Sequence, residues 1–170
     1  MRSKTSKKFG YILRFIEGLI ALNDDDEFLR SYKEIYPEKM ELKVGRKEVD
    51  GASFLDLGLQ VEDQIFKSNL YDKREAFKFS VVRMPYKGSN MPYKMYYSTM
   101  SVEILRICRV TSHYPSFLKS VRKLILRMRK GVEAQGMNKF VSKMMHRHWD
   151  PFRKFDLSAE KIASDVSSIQ

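Results

Sequence analysis

ASFLDLGLQVEDQIFKSNLYDKREAFKF, the stretch from Ala52 to Phe79, decides how the rest of the chain is read. Leu55, Leu57, Leu59 and Val61 alternate with Asp56, Gly58, Gln60 and Glu62, the period of two that marks a strand with one buried face. Glu62-Asp63-Gln64 predicts a hairpin turn, Ile65 to Tyr71 a second strand and Phe77 to Val82 a third. The buried face sets the register, because a slip of one residue would put Leu55, Leu57 and Leu59 in water. A sheet this small needs a cover.

Upstream, FGYILRF from Phe9 and LIALN from Leu19 are apolar runs separated by Glu17-Gly18, which predicts a tight hairpin with Gly18 at positive φ. Asp24, Asp25 and Asp26 supply an N-cap and negative first turn for a helix that Pro37 stops after Tyr36. Phe28, Tyr32 and Ile35 share one face of it. Met40 to Val44 predicts a further strand.

Downstream of the loop at Gly88 to Pro92 the period changes to that of helices. Met100, Ile104, Ile107 and Cys108 form an apolar stripe that ends before Ser112 to Pro115. From Ser116 to Lys130 one face carries Phe117, Val121, Leu124, Ile125 and Met128. The other carries Lys119, Arg122, Lys123, Arg127, Arg129 and Lys130, with Leu126 among them. A third helix, Asn138 to Trp149, places Phe140, Val141, Met144, Met145 and Trp149 on its packing side, and Lys139, Lys143 and Arg147 at four-residue intervals. The Ser-rich tail from Asp156 reads as a frayed helix or as disorder.

The 170-residue chain has room for one domain or two small subdomains. Its net charge of +11 is concentrated: between Arg106 and Lys154 thirteen Lys/Arg face only Glu133 and Asp150, a surplus equal to that of the whole chain. Such asymmetry points to a polyanionic partner, with nucleic acid the usual one. No apolar run approaches the roughly 18 residues of a membrane span, and the basic start, residues 1–8, has no signal-peptide core behind it. The single cysteine, Cys108, excludes an internal disulfide and fits an intracellular, reducing compartment.

Four segments, in order, carry a resemblance to a known family. Arg14-Phe15-Ile16-Glu17-Gly18-Leu19-Ile20-Ala21-Leu22-Asn23 resembles the palm hairpin of eukaryotic retroelement reverse transcriptases, Penelope-like and related, which reads Arg-Tyr-Ile-Asp-Asp-Leu-Leu-x-Leu-Asn. Ile35-Tyr36-Pro37-Glu38 with Met40 to Lys43, then Phe54-Leu55-Asp56-Leu57, then Leu70-Tyr71-Asp72-Lys73-Arg74 with Phe77-Lys78-Phe79 are similar to the segments that follow it. The resemblance runs from about Phe9 to His148 and covers the C-terminal palm and thumb portion only. The fingers and the first half of the palm, with a further catalytic aspartate, would lie ahead of Met1.

The resemblance implies an α+β chain: a small antiparallel sheet forming a partial palm over residues 9–92, a three-helix thumb-like bundle over 93–155, and a tail at 156–170. It also implies where chemistry is lost. Templated nucleotide addition uses two divalent ions held by carboxylates, magnesium in this family, and the hairpin supplies paired aspartates. Here those positions are Glu17 and Gly18, vestigial, with no intact catalytic or metal set and no cofactor expected. The three consecutive aspartates read as helix caps, and His146 and His148, two apart, point to different faces and make no zinc pair.

The expected function is therefore that of a truncated, catalytically inactive reverse-transcriptase-like protein with residual nonspecific nucleic-acid binding. Lys119, Arg122, Lys123, Arg127, Arg129, Lys130, Lys139, Lys143 and Arg147 match the thumb's grip on a sugar–phosphate backbone. Three rivals stand beside it: a solvated helix face with no partner, a domesticated module whose open sheet is covered by a partner protein, and a fragment of a longer RNA-directed DNA polymerase.

Overall fold

The computed structural model describes residues 12–16, 18–21, 27–43, 51–79, 90, 92–128 and 134–169. They form an α+β chain. Strands β1 (Ile12–Phe15) and β2 (Gly18–Ala21) pair antiparallel, and α1 (Glu27–Ile35) follows. Strands β3 (Gly51–Phe54), β4 (Leu57–Glu62) and β5 (Ile65–Leu70) form a second antiparallel sheet in chain order. Helices α2 (Tyr93–Val110), α3 (Tyr114–Met128), α4 (Ala134–Arg147) and α5 (Ala159–Ser167) make the bundle.

The strand expected from Leu55 begins only at Leu57, and of its expected inner face Leu55 and Val61 are 47% and 41% exposed. Leu55 adopts φ 57°, and the chain reverses between Phe54 and Leu57, which face each other across the β3–β4 ladder. The corner is fastened from both sides: Asp56 accepts the Tyr71 backbone N–H on its carbonyl at 2.8 Å and the Arg106 guanidinium on its carboxylate at 2.8 Å. Gly58 faces Asn69 across β4–β5, and a Cβ there would meet the Asn69 amide oxygen at 2.3 Å, so a larger residue would have to turn the Asn69 side chain aside. The β4–β5 turn lies where it was predicted. Asp63 and Gln64 take φ 51° and 64°, both left-handed, as in a type I′ hairpin.

Other local expectations are corrected. In the first hairpin Ile16, not Gly18, takes positive φ (51°), and Gly18 instead begins β2 opposite Phe15. Residues 40–43 are not strand, and 77–79 bend after a 3-10 turn at Lys73–Ala76; Val44 and residues 80–82 lie outside the described residues. As expected, α2 ends before Ser112 to Pro115, and Pro115 sits in the first turn of α3, where its missing N–H costs nothing.

The tail is the largest correction, because residues 159–167 form α5 rather than fraying. Ser158 caps it by accepting the Lys161 N–H, and Ile162, Ala163 and Val166 are buried in the bundle core. The bundle expected to have three helices thus has a fourth.

Nearly all buried apolar residues lie in that bundle. Met100, Ile104, Ile107 and Cys108 of α2, Phe117, Val121, Leu124, Ile125 and Met128 of α3, and Val141, Met144 and Met145 of α4 form one cluster, as their spacing predicted. Phe152, in a 3-10 turn at Asp150–Phe155, stands edge-on to Phe117 at 5.9 Å; truncating either ring to Ala would cost roughly 3–5 kcal/mol. Tyr96 Oη donates to the Met128 carbonyl at 2.6 Å, and Tyr114 Oη donates to Asp165 at 2.8 Å, tying α2 to α3 and α3 to α5. Among the described residues before position 92 only Ile20 and Phe28 are buried.

The three-stranded sheet is joined to the bundle along β5. Leu70 packs on the core cluster, the Ser68 N–H donates to Ser112 Oγ and the Ser112 N–H donates to the Ser68 carbonyl, each at 2.9 Å. Those bonds occupy backbone groups that an edge strand otherwise leaves open. Among the described residues no helix is long and apolar enough to cross a membrane.

Candidate nucleic-acid interface

The basic face of α3 is split by its neighbours. Lys119, Lys123 and Arg127, at four-residue intervals, form one line along the helix, with Arg122 and Leu126 beside it. Lys123 Nζ donates to Glu75 Oε1 at 2.6 Å, and the Arg127 guanidinium reaches Asp72 Oδ2 at 2.5 Å and Glu75 Oε1 at 3.7 Å. Both acids come from the 3-10 turn that follows β5. Lys119 and Arg122 are exposed and, among the described residues, form no ion pair. Arg129 and Lys130 lie outside the described residues.

Asp72 holds this junction. Its carboxylate also takes Arg74 Nε at 2.7 Å and Nη2 at 2.8 Å, and its Oδ1 caps the 3-10 turn through the Arg74 N–H. Burial pushes this carboxyl up, but the bonds from Arg74 and Arg127 outweigh it and hold the group well below the usual carboxylate range. Nothing in the sequence flagged Asp72 or Glu75 as partners of α3. The Asp-x-x-Glu spacing of a capped turn was the one local signal.

On α4 the cations are open. Lys139, Lys143 and Arg147 are exposed, while Val141, Met144 and Met145 bury the opposite side. Lys139, Ser142, Lys143 and His146 line a shallow surface concavity of about 550 Å³. Ser142 and His146 were not among the residues expected to bind. His148 lies past the end of α4.

The remaining candidates have structural roles. Cys108 is fully buried with Sγ 3.2 Å from the Pro151 carbonyl, and burial pushes its thiol up to about 11, against the pull of Lys154 and Arg109. Lys154 Nζ donates to the Cys108 carbonyl at the end of α2. Arg106 is held between Asp56 and Glu103. Gly18 lies half-buried beside Phe54; Glu17 and Asp24 to Asp26 lie outside the described residues. Comparison with protein-family models, with curated proteins and with solved structures gives no match.

Proposed function

We propose that this chain is a catalytically degenerate, reverse-transcriptase-like protein whose helical bundle holds nucleic acid by its sugar–phosphate backbone. One observation carries the reading. Five exposed cations, Lys119 and Arg122 on α3 and Lys139, Lys143 and Arg147 on α4, have no ion pair among the described residues, although acidic partners engage Lys123 and Arg127 nearby. Free cations on stiff helices suit phosphate contact, which fixes position and reads no sequence.

The residues at the hairpin do not fit a two-metal site. Such a site needs several converging carboxylates, and Gly18, at a position where the family has aspartate, offers no ligand. Among the described residues no three His, Cys, Asp or Glu side chains converge. The proposal is therefore for binding without nucleotide transfer.

Fluorescence anisotropy with labelled single strands and duplexes of unrelated sequence tests it. Weak affinity that is indifferent to sequence and declines with salt is expected. No binding at low salt, or primer extension on an added template, would overturn it.

A second reading has its own support: Ile65, Phe66 and Phe79 are 62%, 53% and 67% exposed, more contiguous apolar sequence than a solvated surface calls for. On that reading the chain is an interaction module and its sheet region is covered by a partner protein.

A further inference from the structure

We infer that the concavity on α4 is a seat for phosphate, the point at which a phosphate chain first engages this protein. Lys139, Ser142, Lys143 and His146 line it. They stand at positions i, i+3, i+4 and i+7, which a helix brings onto one face over about 10 Å of its length. Their chemistry is one-sided. Two ammonium groups, a hydroxyl and an imidazole offer hydrogen-bond donors, and none of the four is a carboxylate.

The face is also held in place. Val141 and Met145 are fully buried and Met144 nearly so, so α4 cannot roll about its axis without exposing them. Phe140 packs against Tyr97 of α2 with ring centroids 4.7 Å apart, which pins the same helix from its flank. Donors on a helix that cannot turn lose less freedom when a ligand arrives than donors on a loop.

Competition inside the chain is weaker here than on α3. Lys123 and Arg127 are bonded to Glu75 and Asp72, whereas no ion pair among the described residues involves Lys139, Lys143 or His146. One acidic group, Glu160 of α5, lies within electrostatic range of His146, and its carboxylate is bonded by Ser158 at the start of α5.

The inference rests on the nucleic-acid reading only for the source of the phosphates, because free polyphosphate offers the same chemistry. Two probes separate the sources: sodium tripolyphosphate and a labelled single-stranded oligonucleotide. Backbone amide NMR of the full chain titrated with tripolyphosphate is expected to move the resonances of residues 139–146 and to leave those of Lys33 and Lys39 in place. Lys139→Gln with Lys143→Gln should weaken tripolyphosphate binding by about tenfold or more, since hydrogen bonds to charged groups are lost. Ser142→Ala and His146→Ala, which remove donors without removing a lysine, should each weaken it about threefold. The charge-matched control, Lys33→Gln with Lys39→Gln, exposed lysines outside the bundle, should leave it unchanged.

Shifts spread evenly over every exposed lysine and arginine, or tripolyphosphate binding that survives the Lys139/Lys143 pair, would overturn the seat. If tripolyphosphate binds there and the oligonucleotide does not, the seat stands and the nucleic-acid reading fails. If the oligonucleotide binds with an affinity indifferent to all four substitutions on α4, the nucleic-acid reading stands and the seat fails.

Discussion

Arg127 of α3 bonds through Nη1 to Oδ2 of Asp72, 55 residues earlier in the chain. With the Lys123–Glu75 pair beside it, this contact does two things: it fastens the segment after β5 to the bundle, and it neutralises two cations that would otherwise face solvent. On the proposed nucleic-acid reading, a phosphate would compete with these carboxylates for Lys123 and Arg127.

Removing those carboxylates should open the face. Asp72→Asn with Glu75→Gln is expected to raise affinity for single-stranded nucleic acid severalfold at low salt, because two released cations can displace further counterions. The Lys123–Glu75 pair is exposed and its loss should cost less than about 1 kcal/mol, whereas loss of the Asp72 carboxylate, which is 11% exposed and bonded by Arg74 and Arg127, should cost about 1–3 kcal/mol. Anisotropy and urea unfolding on the same samples check both, and an unchanged or lower affinity would mean that Lys123 and Arg127 are not part of the surface.

Acid should weaken the same junction. The Asp72 carboxyl is held low by Arg74 and Arg127, and Asp165 is lowered by its bonds from Lys161 and Tyr114. A carboxylate lowered in the folded state stabilises the fold above its unfolded-state pKa of about 4, and that contribution is lost as pH falls toward the folded value. The urea midpoint is expected to be level from about pH 7 to 5 and to fall below about pH 4. Asp72→Asn should make the fall shallower. A midpoint already falling near pH 6 would point to other groups.

Thr111 offers a test of the core. It is fully buried, its Oγ1 has no hydrogen-bond partner among the described residues, and its backbone is extended at φ −101°, ψ 124°. Valine fits that conformation and removes an unsatisfied hydroxyl. Thr111→Val should stabilise the protein by about 1 kcal/mol, read as a higher urea midpoint with the same slope. Destabilisation would show that the hydroxyl has a partner.

The uneven distribution of the core bears on how the chain comes apart. Among the described residues, apart from Ile20 and Phe28, every buried apolar residue falls between Tyr96 and Val166, and short-range helical contacts need little loop closure. Limited proteolysis is expected to leave a protected fragment spanning roughly residues 93–169 while the sheet region is cut. A protected N-terminal fragment with digested helices would reverse this ranking.

The bundle was legible because its helices carry unbroken apolar stripes: all five positions expected on the inner face of α3 are buried. The corner at Leu55-Asp56 was not, because Leu-x-Leu alternation runs straight through it and no Gly or Asn marks the turn. The positive φ at Ile16 was hidden by an adjacent glycine, the more usual host. In α5 a Ser-rich composition masked the spacing of Leu157, Ile162, Val166 and Ile169, all of which pack on the core. The candidate surface was half legible. Local periodicity placed the cations of α3 on one face, but which of them are neutralised depends on Asp72 and Glu75, brought in from another part of the chain, and no local pattern reports that.

The most direct test is the salt dependence of single-strand binding between about 50 and 200 mM, compared between the wild type and a variant carrying Lys119→Gln, Arg122→Gln, Lys139→Gln and Lys143→Gln. The account predicts that log affinity falls linearly with log salt in the wild type, and that the slope shrinks by about 0.7 for each phosphate contact removed. A variant that binds as tightly as the wild type, with the same slope, would contradict it.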